Sequence, residues 1–177
     1  FNIAGWKHHA FSSPGEAFWL LNDQANAARY LLDKKIVKKV LIIDLDVHQG
    51  NGTAEIFQND DRVFTFSMHG KKNYPFKKEK SDWDISLEDK TEDKIYLAIL
   101  EEALPKLFNR VKPDFIFYLS GVDVLESDSL GRLGMSIEGC KSRDQMVLEH
   151  CHNKNVSVQC SMGGGYSKDI KIIIEAH

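Results

Sequence analysis

The densest chemistry in this 177-residue sequence is the string Asp44-Leu45-Asp46-Val47-His48-Gln49-Gly50-Asn51-Gly52, which follows an apolar run at 40–43. Side chains of a strand alternate faces, so Asp44, Asp46 and His48 are expected to project to one side at its end. Two carboxylates at that spacing are costly to bury unless a cation or a hydrogen-bonding group compensates them, and a metal is the simplest compensation. A single Asp there would read as a solvated strand end or a helix cap; the whole string favours the metal.

Three further stretches add groups of the same kind. Asp123 follows the apolar run 115–119 through Ser120-Gly121-Val122, just past a strand end, where open α/β sheets place their ligands. Alone it reads equally as a turn residue or cap. The run Gly163-Gly164-Gly165 allows close backbone approach and lets Tyr166 turn its hydroxyl into a cleft, or it is a simple strand-to-helix turn. His8 and His9 are candidate ligands, a candidate acid and base, or ordinary polar residues. Their conjunction with the acidic string raises the first two.

The elements that must position these groups are legible as runs and periods. Residues 40–43, 63–66, 115–119 and 156–158 are rich in β-branched and aromatic types and read as strands. Helical patterns cover 23–34, 92–108 (with Ile95, Ile99 and Ala103 four apart), 138–152 and a last segment after Tyr166. Thr91 and Ser136 are the expected N-caps, and Pro105 is expected to kink or end its helix. Such alternation implies right-handed crossovers and a mainly parallel, doubly wound α/β sheet with helices on both faces. The segment 68–90 has no clean period. Its lysines, without an aromatic stacking array, predict a solvated loop near the site rim rather than a nucleic-acid patch.

Length and a hydrophobic fraction of 42% fit one domain over residues 1–177. The net charge of −3 provides no basic field for nucleic acid or an anionic membrane, and no apolar run is long enough for a membrane span. Cys140, Cys151 and Cys160 are odd in number and widely spaced, which predicts free thiols in a reducing compartment.

Taken together, the ordered motifs resemble the zinc-dependent histone deacetylase family along nearly the whole chain. They are His8-His9-Ala10, Phe18 with Asn22-Asp23, the string Asp44 to Gly52, Thr65-Phe66-Ser67-Met68-His69, Tyr74-Pro75-Phe76, Gly121-Val122-Asp123, Asp128-Ser129-Leu130-Gly131, Arg143-Asp144 and Gly163-Gly164-Gly165-Tyr166. The texture from Val122 to Leu133 is similar to the class IV branch and its bacterial relatives. The resemblance implies the arginase/deacetylase fold and hydrolysis of N6-acetyl-lysine in a protein or peptide. It also implies zinc on Asp46, His48 and Asp123, three ligands with an open position. His9 would serve as general base and then acid, beside His8, with Asp44 partnering His8 and Asn51 partnering His9, so that the two rings differ in charge. Tyr166 would donate to the oxyanion.

By the same resemblance Phe18 would line an acyl-lysine tunnel, with Gly164 and Leu130 also in the substrate site; apolar Leu130 argues against acetylpolyamines. A structural potassium would use Asp44 and Ser67 with backbone around Asp46, His48 and Met68, and a second monovalent site the carbonyls of Phe57, Asp60 and Val63. Trp6, Ala17 and Trp19 depart from the family pattern. The family's catalytic domain continues upstream of its histidine pair, so the N-terminal part is expected to be missing here and this chain to be a weak enzyme on its own. The alternatives are a non-catalytic or partner-dependent metal-binding fragment, and a deacylase of longer acyl chains or other small amides. The expected setting is intracellular: cytoplasmic if bacterial, nuclear or cytoplasmic if eukaryotic, with partner subunits admitted and no direct sequence-specific nucleic-acid binding.

Overall fold

A computed structural model describes residues 7–12 and 21–177. Five parallel strands form one sheet in the order β3-β2-β1-β4-β5. They are β1 (Val40–Asp44), β2 (Val63–Gly70), β3 (Trp83–Leu87), β4 (Phe115–Ser120) and β5 (Ser157–Met162). The helices are α1 (Asp23–Asp33), α2 (Asn51–Phe57), α3 (Asp93–Val111), α4 (Ile137–Asn153) and α5 (Ile170–Ala176), and a 3₁₀ turn spans Lys7–His9.

All of β1 is buried, and alternation along it divides the core. Leu41 and Ile43 join the cluster under α3, α4 and α5, with Leu100, Leu104 and Val147. Val40 and Ile42 join the opposite cluster with Ala28 and Leu32 of α1 and Phe57 of α2. The result is the expected three layers, helix on both faces of a parallel sheet. The strand order reverses direction at β1, since β2 and β3 lie to one side and β4 and β5 to the other. The crevice at the carboxyl ends of β1 and β4 is therefore the switch point, where such sheets bind ligands.

Several expectations need correction. β1 stops at Asp44, so Asp46 and His48 sit in the turn beyond it and owe their placement to hydrogen bonds rather than to strand alternation. Segment 68–90 is not one loop: β2 runs to Gly70, and Trp83–Leu87 forms the edge strand β3. That strand is half-buried on one edge, which leaves no buried apolar run to read. The N-cap of α3 is Glu92, because the Thr91 hydroxyl donates instead to the carbonyl of Glu88 at 2.7 Å. α3 continues through Pro105 to Val111, held by a buried stripe of Tyr96, Leu100, Leu104, Leu107 and Val111. Of the expected row, Ile95 is 57% exposed, Ile99 partly buried and Ala103 buried, so that row runs along the edge of the buried face. Ser136 does cap α4, its hydroxyl accepting from Gly139 N at 3.0 Å.

Candidate metal centre

Asp46 and His48 reach the switch point from β1, and Asp123 reaches it from β4. One ligand atom from each lies within 4.8 Å of the others. His48 Nδ1 is 3.1 Å from Asp46 Oδ1 and 3.0 Å from Asp123 Oδ2, so the ring nitrogen faces both carboxylates at once. Asp46 and Asp123 are wholly buried and His48 nearly so.

Backbone donors hold the carboxylates in place. Val47 N–H donates to Asp123 Oδ1 at 2.9 Å, and His48 N–H to Asp46 Oδ1 at 2.9 Å. Gly164 works from both ends of its residue: its N–H donates to Asp46 Oδ2 at 2.7 Å, and its carbonyl accepts from Val122 N and Asp123 N at 2.7 and 3.0 Å. A Cβ on Gly121 would fall 2.5 Å from Asp46 Oδ2, and one on Gly163 2.7 Å from the same atom. These glycines are thus required by the close approach of two loops to one carboxylate.

The electrostatics of the three groups are those of a site built for a cation. Burial opposes ionisation of Asp46, but its bond from His48 and the charges of His8 and His48 win and hold the carboxyl far below the usual range. Burial and the Asp46 charge push Asp123 up to about 7. His48 would be depressed by burial, yet its bonds to Asp123 and Asp46 raise it to about 10. With the protein alone, a proton on His48 offsets the two carboxylates. Two carboxylate oxygens and an imidazole nitrogen are a suitable donor set for a borderline divalent ion such as zinc.

The histidine pair lies beside this triad. His8 Nδ1 is 2.6 Å from Asp44 Oδ2, and His9 Nδ1 is 2.6 Å from Asn51 Oδ1, with ring centroids 4.1 Å apart. Asn51 Oδ1 can only accept, so His9 Nδ1 carries the proton and Nε2 the lone pair. Burial works against a charged His8, but the charge and hydrogen bond of Asp44 prevail and raise it. Burial and the neighbouring His8 charge lower His9 to about 3. His8 Nε2 is buried 4.0 Å from Asp46 Oδ1 without a hydrogen-bond partner among the described residues. Rings of His9 and His48 are 6.2 Å apart, and Tyr74 meets His9 edge-on at 5.1 Å.

A cavity of about 670 Å³ is lined by His9 and His48 together with Tyr74, Phe76 and Leu130. Tyr166 is half-buried nearby; burial, then the charges of Asp46 and Asp123, raise its phenol far above the ordinary value. Asp128 organises this rim and was not singled out as a site residue by the sequence. Its Oδ1 accepts from Leu130 N and Gly131 N at 2.8 and 2.7 Å, and its Oδ2 from Tyr166 N at 2.6 Å. The signal was there as an Asp opening a tight turn that ends in Gly131.

Asp44 and Ser67 are in-register neighbours on β1 and β2, as a shared ion would require, and Met68 follows on β2. The Ser67 hydroxyl is paired with His69 Nδ1 at 2.9 Å. Around the second expected monovalent site, the carbonyls of Phe57 and Asp60 accept from Asp60 N and Val63 N, both at 3.0 Å. Phe18, and with it Trp6, Ala17 and Trp19, lies outside the described residues.

Comparison with known proteins identifies the family and the fold. The model of the histone deacetylase domain matches residues 1–174. An uncharacterized protein of Picosynechococcus sp. is 46% identical over 99% of this chain and 59% of its own length. Histone deacetylase 2 of Arabidopsis thaliana is 32% identical over 98% of this chain and 46% of its own. Among solved structures, an HDAC homolog from Aquifex aeolicus superposes with a TM-score of 0.78 at 28% identity, covering 90% of this chain and 45% of that one. An HDAC homolog complexed with SAHA gives 0.79 at 28% identity, covering 92% and 46%. The chain thus spans about half the length of the curated relatives it matches. No helix among the described residues is long and apolar enough to cross a membrane. From its fold, its switch-point triad and a match that covers nearly every residue, the chain belongs to the histone deacetylase domain family.

Proposed function

We propose that this chain carries the metal centre of a zinc-dependent amidohydrolase that removes acyl groups from lysine side chains of a protein or peptide. The observation that carries this reading is the Asp46-His48-Asp123 triad, whose His48 lines one cavity with neutral His9. Zinc held by those three residues would supply a Lewis acid for the amide carbonyl and a more acidic water.

The remaining work falls to the chain's own groups. His9, neutral at physiological pH with its Nδ1 proton held on Asn51, accepts the proton of the attacking water and returns it to the leaving lysine amine. The His8–Asp44 pair places positive charge next to that exchange. Tyr166 stays protonated because burial and the nearby carboxylates disfavour phenolate, so its hydroxyl keeps the proton it would donate to an oxyanion. Tyr74, Phe76 and Leu130 offer apolar walls to the aliphatic stem of an acyl-lysine. Leu130 provides no counter-charge for a polyamine. The relative in complex with SAHA supports a ligand-binding role for this fold. A structural potassium between Asp44 and Ser67, with carbonyls around Asp46, His48 and Met68, belongs to the same proposal.

The test is metal content by elemental analysis together with turnover of an acetyl-lysine peptide before and after chelation. Parent protein is expected to bind one zinc per chain and to lose turnover reversibly on chelation, and Asp123→Ala to lose the zinc. Equal zinc in parent and Asp123→Ala, or turnover unaffected by the chelator, would overturn the reading.

A further inference from the structure

The two arms of the metal centre leave the sheet together. β1 and β4 are paired from Val40 and Phe115 to Asp44 and Leu119, and Leu45 N still bonds Leu119 O at 3.0 Å. Beyond that bond the strands give way to the ligand-bearing turns. There the carbonyls of Leu45 and Gly121 both accept from Nη1 of Arg143, at 3.3 and 2.6 Å. Arg143 comes from α4, has no solvent exposure, and is among the largest fully buried side chains of the molecule. Its Nε donates to Asp144 Oδ1 at 2.7 Å, an oxygen that also accepts from the Tyr118 hydroxyl at 2.5 Å.

A buried guanidinium is costly, and a well-packed apolar side chain commonly fills such a space at no loss of stability. What an apolar chain cannot do is donate to two backbones from one nitrogen, Nη1, while a carboxylate on Nε fixes the plane that aims it. The bonded carbonyls lie one residue before Asp46 and two before Asp123. We propose that Arg143 is a positioning residue for the metal centre, pinning the roots of both ligand turns and so setting the spacing of the two carboxylates. It touches neither the metal ligands' side chains nor the cavity. The proposal rests on the metal reading above.

Zinc affinity, measured by competition with a chelating dye, and the visible spectrum of the cobalt-loaded chain test it without reference to turnover. Arg143→Lys keeps the charge, but its flexible stem has no Nε for Asp144 to fix, so nothing aims the ammonium at both carbonyls. Zinc affinity is expected to fall by about 10- to 100-fold, the usual effect of losing a partner that orients ligands, and the cobalt bands to shift. Val147→Ala alters the same buried face of α4 without removing any hydrogen bond of Arg143 and is expected to bind zinc as the parent does. Parental affinity and cobalt spectrum in Arg143→Lys would overturn the positioning role. So would an equal loss in Val147→Ala, which would mark a general packing effect. If Arg143→Lys does not fold, Asp144→Asn takes its place: it loosens the fork at Nε and is expected to weaken zinc several-fold, with parental affinity again overturning the proposal. A parent that binds no divalent ion would sink the metal reading itself, and the positioning role with it.

Discussion

Changing Asn51 to Asp isolates the source of the difference between the two histidines. Each Nδ1 is 2.6 Å from its partner oxygen, so the pairs differ chiefly in whether the partner carries charge. His8 is raised and His9 is lowered to about 3. A unit charge about 4 Å from the imidazolium contributes roughly 4 kcal/mol at an effective dielectric near 20. At about 1.36 kcal/mol per unit, that corresponds to about 3 pH units. Burying a new carboxylate opposes its own ionisation, so we expect Asn51→Asp to move the His9 midpoint up by about 2 units. The substitution preserves shape, and position 51 opens α2, where an acidic side chain is tolerated by the helix dipole. The assay is an NMR titration of labelled imidazoles in the metal-free chain. A His9 midpoint within about half a unit of the parent's, in a protein of unchanged fold, would refute the reasoning, since a shift that small is worth less than about 0.7 kcal/mol.

Two other perturbations have definite outcomes. Tyr166→Phe should leave zinc content unchanged while lowering kcat by roughly 10²- to 10³-fold, the loss typical of one oxyanion donor, and a parental kcat would remove Tyr166 from the chemistry. His69 is lowered to about 4 by burial, only partly offset by Asp84, so the unfolded chain takes up its proton first as pH falls. Its contribution is intact above about pH 6.5 and lost towards pH 4, about 3 kcal/mol in all. Urea melts of the metal-free chain at pH 7 and 4.5 should therefore show a shallower decline in His69→Gln; parallel declines would contradict the assignment.

The sequence was most informative where burial is complete. Residues 40–43 and 115–119 are apolar because both faces of a central parallel strand are covered, and both runs became strands. Trp83–Leu87 escaped notice because an edge strand needs only part of that pattern. In the candidate site, the family resemblance carried the grouping of Asp46, His48 and Asp123, whereas the alternation argument treated Asp44 as an equal member. The structure turns Asp44 to His8 and to the backbone N–H of Asp46. Such a division depends on where the strand ends, which a string of letters does not mark. Arg143 acts on the backbone carbonyls of Leu45 and Gly121, far away in the chain, as Asp128 does on Tyr166 N, and such backbone partners leave no trace in a sequence.

The triad joins turns whose residues His48 and Asp123 are 75 positions apart, with β2, β3 and α3 intervening. The chain between them must be closed before β1 and β4 can pair, a slow step in non-local topologies. An ion that needs all three ligands therefore finds no complete site in the disordered ensemble and none until that pairing is made. Such binding stabilises the native side of the barrier more than the transition state. Metal should accordingly lengthen the lifetime of the folded chain, through slower unfolding, far more than it speeds the chain's arrival there.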